Sequence, residues 1–355
     1  MKKKFLMQGA LCAMLLGIGA GEARAAQTLR VQVDQKGDFL LIGNTLGYDC
    51  VAGTPMPVVG TTPTIANCGA NTNDTAPDIF WRSDSPMAGQ AEANTTVMLA
   101  QARSTSVLTI PAGATVTHAY LYWGANLANG DASVTLDRPG GFSQNITVPQ
   151  QQVYTNMNFN GYQSVADITS IVQMEGSGAY RVSGVDGANL INANNENYFA
   201  GWWMVVFYKL DTDPPRNLAL FDGFDYVDQN NPQTLTLSGF LVPQVFANAK
   251  LGVVAFEGDN TVSGDAFSFG PAPALSDTQN LATNFFNGSR SYLGAPVSNV
   301  GDLPQLLGTP QSMSGIDIDV VDVTSKLMAG QSSVPISATS TQDRYYLAGF
   351  VTSIP

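Results

Sequence analysis

Carboxylates set among glycines and asparagines are the side chains of this 355-residue chain whose spacing points most directly to chemistry. Asp222, Asp225 and Asp228 fall in DGFDYVD, Glu257, Asp259 and Asp265 in EGDNTVSGD, and Asp317, Asp319 and Asp322 in GIDIDVVD. Hard oxygen donors on flexible turns suit calcium, which takes about 6–8 oxygens at loose geometry. None of the three groups follows the EF-hand order of ligands. The second is the preferred metal candidate, because Glu257, Asp259, Asn260 and Asp265 put three carboxylates and an amide into nine residues with two glycines. The plain alternative for each group is the Asx-turn, in which a short acidic side chain accepts a backbone N–H and nothing else. The same loop could also supply an acid/base pair for cleaving glycans, which needs two carboxyl groups about 5–10 Å apart. Spacing along the chain does not set that distance.

Chemistry that needs histidine is close to excluded. The chain has one, His118. A serine nucleophile using it as base would be expected on a Gly-x-Ser-x-Gly elbow, and the sequence contains none. One histidine and a few cysteines are also a poor zinc donor set. In THAYLYW the period of two puts His118, Tyr120 and Tyr122 on one strand face and Ala119, Leu121 and Trp123 on the other. A row of rings can stack on sugars, which makes these three the candidate carbohydrate-binding residues, or it can fill an interface between lobes. The run GWWMVVFYKL (201–210) is apolar on both faces, as a strand covered on both sides would be. Trp202 and Trp203 therefore point in opposite directions, and one of them is expected to pack between lobes.

The elements that must position these residues read as β-strands. Short β-branched and aromatic runs closed by Gly, Pro, Asn or Asp recur along the chain, while helical periodicity is scarce. The runs form two series in the same order. AYLYWGA corresponds to LGVVAFEGD, ADITSIV to VDVTSKL, GAYRVSGV to SSVPISAT, and GWWMVVFYKL to YYLAGFVTSI. Repeated order of this kind implies a duplicated unit. The fold class expected is all-β, with two tandem antiparallel sandwich lobes of jelly-roll type over residues 26–230 and 231–355, joined near 211–232. In the shared phrase, Asp167 and Asp322 are each expected to accept a backbone N–H two or three residues on and to start one short helical turn, which Gly176 or Gly330 soon ends.

The ends and the composition bound the rest. Three lysines, an apolar run from Phe5 to about Ala20 and Ala23-Arg24-Ala25 have the pattern of a cleaved secretion signal over residues 1–25. Removing Lys2, Lys3, Lys4, Arg24 and Glu22 with it takes the formal charge from −12 to −15. So acidic a chain would repel phosphate backbones, so no nucleic-acid partner is expected. No later segment approaches the roughly 20 apolar residues of a membrane helix. In an oxidising compartment Cys50 and Cys68 are expected to pair, restricting a Gly/Pro/Thr-rich loop by about 3 kcal/mol.

From GWWMVVFYKLDTDPPRNLALFDGFDYV through AKLGVVAFEGD and NFFNGSRS to GIDIDVVDVTSKLMAGQ, the chain resembles a family of secreted bacterial surface proteins. Members share an amino-terminal β module of unknown function, often followed by Ig-like surface repeats. VTLDRPGGF and YRVSGVDG are most similar to myxobacterial members, some named for adventurous gliding motility. The resemblance implies secretion or cell-surface placement and a structural or adhesive role, with cell-surface or extracellular matrix components, polysaccharide among them, as partners. It brings no catalytic residues. Within it, Arg216 and Asp222 flank the strand NLALF and are expected to tie a lobe junction. The alternative function is a secreted carbohydrate-binding or glycan-cleaving protein using the acidic loops.

Overall fold

The computed structural model describes residues 25–49, 77–82, 91–94, 97–155, 160–188 and 198–355. The expected secretion signal, apart from Ala25 at its end, and the pair Cys50 and Cys68 lie outside the described residues. Within them the protein is an all-β sandwich with one α-helix. The first half runs β1 (Ala25–Thr45), β2 (Gly47–Asp49), β3 (Pro77–Arg82), β4 (Glu92–Asn94), β5 (Arg103–Leu108), β6 (Thr115–Ala125) and β7 (Ser133–Asp137). It continues with β8 (Ser143–Thr147), β9 (Gln151–Thr155), β10 (Asn160–Asp167), α1 (Thr169–Glu175), β11 (Gly178–Ser183) and β12 (Ala200–Lys209). The second half runs β13 (Pro215–Val227), β14 (Gln233–Ser238), β15 (Lys250–Phe256), β16 (Asp265–Phe269) and β17 (Arg290–Tyr292). It closes with β18 (Ala295–Pro296), β19 (Ile316–Asp322), β20 (Ser333–Ser340) and β21 (Tyr345–Ile354).

One long strand organises all of this. Residues 25–36 of β1 pair antiparallel with β13, and from Gly37 to Thr45 the same strand pairs antiparallel with β12. The eleven-stranded sheet β18-β17-β19-β15-β21-β13-β1-β12-β6-β10-β9 is therefore two half-sheets joined at β1. A sheet including β5, β7 and β11 covers one half-sheet, and the three-stranded sheet β14-β20-β16 covers the other.

Alternation along the strands shows how the layers stack. On β12, Trp202, Met204 and Val206 belong to the core under the β5-β11-β7 sheet, while Trp203, Val205 and Phe207 belong to a second core. That second core also takes Leu218, Leu220, Phe256, Ile316, Ile318, Tyr346 and Val351 from the other half-sheet. A third lies under β14-β20-β16 and holds Phe221, Leu251, Val253, Phe267, Ile336 and Phe350. The two half-sheets thus face each other between two outer sheets, in four layers. Trp203 is the tryptophan between the halves; it lies flat on Tyr122 at 3.7 Å between ring centroids with 2° between planes. Close approach of the inner layers depends on glycine. A Cβ on Gly43 would stand 2.6 Å from Ile318 Cδ1 and 2.4 Å from the Trp202 carbonyl oxygen, where no side chain fits.

The two halves repeat. In the half-sheets β12, β6 and β10 follow β1 outward as β21, β15 and β19 follow β13, and β5-β11-β7 matches β14-β20-β16. Strand β13, which a boundary after residue 230 leaves with the first lobe, stands to the second half as β1 does to the first. The repeated phrase has the same surroundings in each copy. Thr169 N–H donates to Asp167 Oδ1 at 2.9 Å and Thr324 N–H to Asp322 Oδ1 at 2.7 Å. Thr169 Oγ1 accepts from Ala119 N–H at 2.9 Å, as Thr324 Oγ1 does from Ala249 N–H. Each aspartate therefore starts a helical turn, α in the first copy and 3-10 in the second, one residue ahead of the residue from which the turn springs.

Because both aspartates are exposed and bond only backbone locally, Asp167→Ala and Asp322→Ala should each cost about 0.5–2 kcal/mol. Thermal melts should show both variants lowered and the double variant lowered by the sum, the two turns sharing no hydrogen-bond partner. A variant that melts like the parent would show that its aspartate has no structural part.

Candidate functional site

The carboxylates of β19 sit where an apolar face would be expected. Ile316, Ile318 and Val320 point into the core between the half-sheets. The alternate residues Asp317 and Asp319 point the other way and are fully buried. What covers them is the segment 277–292, which supplies polar donors rather than an apolar lid. Asp317 Oδ1 accepts the N–H groups of Asn287 at 2.9 Å and Ser289 at 3.1 Å. Asp319 Oδ1 accepts the hydroxyls of Ser291 at 2.6 Å and Ser289 at 3.3 Å. From the first residue of β16, Asp265 Oδ1 takes the Phe286 N–H at 2.7 Å. Asp343, in the turn before β21, takes the Arg344 N–H at 2.6 Å.

Each of these four carboxyl groups keeps a second oxygen with no hydrogen-bond donor, as do the side-chain carbonyls of Asn284 and Asn287. The amides are oriented by their nitrogens: Asn284 Nδ2 donates to the Asn260 carbonyl and Asn287 Nδ2 to those of Gln279 and Asn284. Six buried acceptors therefore lack donors. A buried carboxylate in that condition costs several kcal/mol unless a charge or a proton answers it. Here the same burial makes the carboxyls hold their protons more tightly. Burial, with the nearby charges of Asp259 and Asp265, pushes Asp343 up to about 10. Burial and Asp319 hold Asp317 well above the usual carboxylate range. Burial also raises Asp319 to about 7 and Asp265 to about 6, against the lowering effect of their hydrogen bonds. Asp343 and Asp265 face each other at hydrogen-bonding range, so a proton on Asp343 is the donor that the Asp265 carboxylate lacks.

The quartet expected from the sequence is not brought together. Asp265 belongs to the cluster, and Asp259 lies close enough to raise Asp343. Glu257 turns away: its backbone has φ 67° and its charge acts on Tyr226 and Tyr346 in the core between the half-sheets. Asn260 is exposed and enters only through its backbone carbonyl. A left-handed residue at 257 in effect sends neighbouring side chains to opposite layers. Among the described residues no three Asp, Glu, His or Cys side chains are placed to hold a metal ion. The missing members, Asp343, Asn284 and Asn287, carry no sequence signal of their own. Asp317 and Asp319 do, as two acids alternating with isoleucine on a strand that has no solvent face.

The tyrosine face is an interface. Tyr122 is wholly buried between the half-sheets and donates its hydroxyl to Asp222, which also binds Arg30. No sugar can stack on a ring covered by Trp203. Tyr120 is half-buried at the edge of the same core, and His118 is half-buried edge-on to Phe207 at 6.0 Å. The junction residues named from sequence do tie the halves, though not to each other: Asp222 reaches Tyr122, and Arg216 reaches Asp38, Asn248 and Ser353.

The raised carboxyls fix the sign of a pH effect. A carboxyl whose pKa is higher folded than unfolded binds its proton more tightly in the folded chain, so its contribution is full below about pH 4 and lost as pH rises through the folded value. Urea unfolding should therefore show stability falling from about pH 4, where the unfolded carboxyls ionise, to about pH 10, the folded value of Asp343. Asp343→Asn keeps the acceptor for Arg344 and adds a permanent donor. It should flatten that fall and equal or exceed the parent at the alkaline end. A variant that follows the parent's slope would show that Asp343 is already ionised.

Comparison with known proteins adds a family and no activity. No curated protein matches the chain. Among solved structures, the cryo-EM structure of the T=3 Penaeus vannamei nodavirus aligns over 99% of each chain at 12% identity, with a TM-score of 0.16, too low to carry any argument about fold or function. A family model described as a protein of unknown function matches residues 80–350. That span takes in both copies of the repeated phrase and every member of the carboxylate cluster, and the chain belongs to this family, DUF3344.

Proposed function

We propose that the protein is an exported, non-enzymatic structural or adhesive module of the cell surface or extracellular space. The observation that carries this reading is the use of its chemistry-bearing residues: His118 packs against Phe207, Tyr122 binds Asp222, and the buried acids receive backbone N–H groups. Tyr122 and the buried acids tie layer to layer, and His118 packs on its cross-strand neighbour in the same sheet, so these groups form no reacting set. The secretion pattern of residues 1–25 supports export, and four layers clamped through one shared strand make a stiff body suited to holding a partner. Surface and matrix components, polysaccharide among them, are the partners this role implies. Among the described residues no helix is long and apolar enough to cross a membrane.

Calcium belongs to the proposal at a different set of oxygens from the one the sequence suggests. Asp265, Asp317 and Asp343 keep a buried oxygen without a donor, and Asp259 lies beside them. As they stand these carboxyls form no cation site, and calcium would bind only by drawing them together in place of the protons that otherwise satisfy them. Melting at about pH 8, above the values of Asp265 and Asp319, distinguishes the two: calcium raising the transition and chelator reversing it would establish the ion, and identical transitions would leave the protons alone.

The role itself is tested by fractionating the producing cells and offering the purified chain to immobilised polysaccharides. The expected result is a mature chain beginning at Ala26, recovered outside the cytoplasm, that binds without shortening the polymer. Retention inside the cell with Met1 intact, or release of reducing ends, would overturn the proposal.

A further inference from the structure

At the place where β1 leaves β13 for β12, the two inner half-sheets part and leave a cleft of about 400 Å³. Elsewhere the same layers are closed by large rings and by glycines that admit no side chain. Here Leu41 and Ile42 of β1, Val107 at the end of β5, Val297 beyond β18, and Ile318 and Val320 of β19 line a space that the protein does not fill. Leu41, Val107 and Val297 are only half-buried, so apolar surface stays open to water. Apolar clefts of roughly 300–1,000 Å³ between packed units are where small molecules bind, with a few polar groups fixing orientation.

The polar groups at this cleft include a cation at its apolar edge, Lys250. Lys250 Nζ lies 2.5 Å from Asp38 Oδ2 and 3.4 Å from Tyr292 Oη, over the rings of Phe39 at 5.5 Å and Tyr292 at 5.7 Å. Asp38 also faces Arg216, with Nε at 3.8 Å, so one carboxylate serves two cations. The other cation on the lining, Arg290, is committed to Asp302 at 2.7 Å. Lys250, Arg216 and Asp38 together therefore carry one net positive charge beside an apolar opening, with Lys250 the member that lines it, on a chain whose formal net charge is −12. Tyr292 stands 45% exposed beside it, a ring with a polar tip at the edge of an apolar space.

We propose that this cleft binds an amphipathic monoanion, an alkyl carboxylate whose chain lies against Leu41, Val107 and Val297 and whose head meets Lys250. The site adjoins the buried acids through Ser291, which lines the cleft and bonds Asp319, and does not depend on the proposed surface role.

Titration calorimetry of the purified chain with decanoate, decanol and decyltrimethylammonium tests it. Decanoate should bind at one site per chain. Lys250→Met should weaken decanoate roughly tenfold and leave decanol unchanged, whereas Val297→Trp, at a loop position, should block both while the melt stays that of the parent. Should that variant fail to fold, Val107→Phe fills the opposite wall and serves in its place. No heat with decanoate, binding that survives the filled cleft, or decyltrimethylammonium binding as tightly as decanoate would each overturn the proposal.

Discussion

Strands that are apolar on both faces cannot be covered by one partner layer, and this constraint builds the molecule. On β12, and on β21 on either side of a bulge at Ala348, alternate residues enter an outer core and the residues between enter the inner one. A single sandwich would leave one of those faces in water, at a cost of roughly 25 cal/mol for each Å² of apolar area. Folding two half-sheets face to face removes both exposed surfaces at once. The third core is then a consequence of duplication rather than a separate design, since each half arrives with its own outer sheet and one uncovered face.

Strand β1 makes that arrangement a single body. It contributes its first twelve residues to one half-sheet and its last nine to the other, so neither half is complete in hydrogen bonding without the same strand. Polar contacts between the inner layers sit where the packing is tightest. Tyr122 binds Asp222 across them while Trp203 covers its ring and donates to Gln163. The apolar cleft beside Lys250 lies a few residues past the point where β1 changes partners.

The repeat also supplies an internal control on the buried acids. Aligning the shared phrase sets Tyr162 and Ser164 of β10 where Asp317 and Asp319 stand on β19. In the first half those hydroxyls donate to the Asp186 and Asp131 carbonyls, and no carboxylate is needed to close the layer. The second half reaches closure with acids that require protons or a cation. The fold as such does not ask for them, which separates this cluster from the Asp167 and Asp322 turns that both halves share.

Much of this was legible before any coordinates. Period-two runs dictated strands, the echo of ADITS in VDVTS dictated duplication, and the adjacent tryptophans dictated a second buried face, because each of these is set by local backbone geometry and side-chain alternation. The backbone bonds of Asp167 and Asp322 read correctly for the same reason, their partners lying two residues away, whereas the cap positions fall on Ile168 and Val323 and the second turn ends at Leu327, before Gly330. Partners distant in sequence were out of reach. That Glu257 would leave Asp259 and Asp265 for a different layer depended on one left-handed residue, and that Asp343 would meet Asp265 depended on which turn the sheets brought alongside. Sequence alone thus determined which faces had to be buried. Only the tertiary structure decided what buried them, because burial is satisfied by any apolar neighbour, whereas the pairing of charges is set by distances that exist only after the layers have stacked.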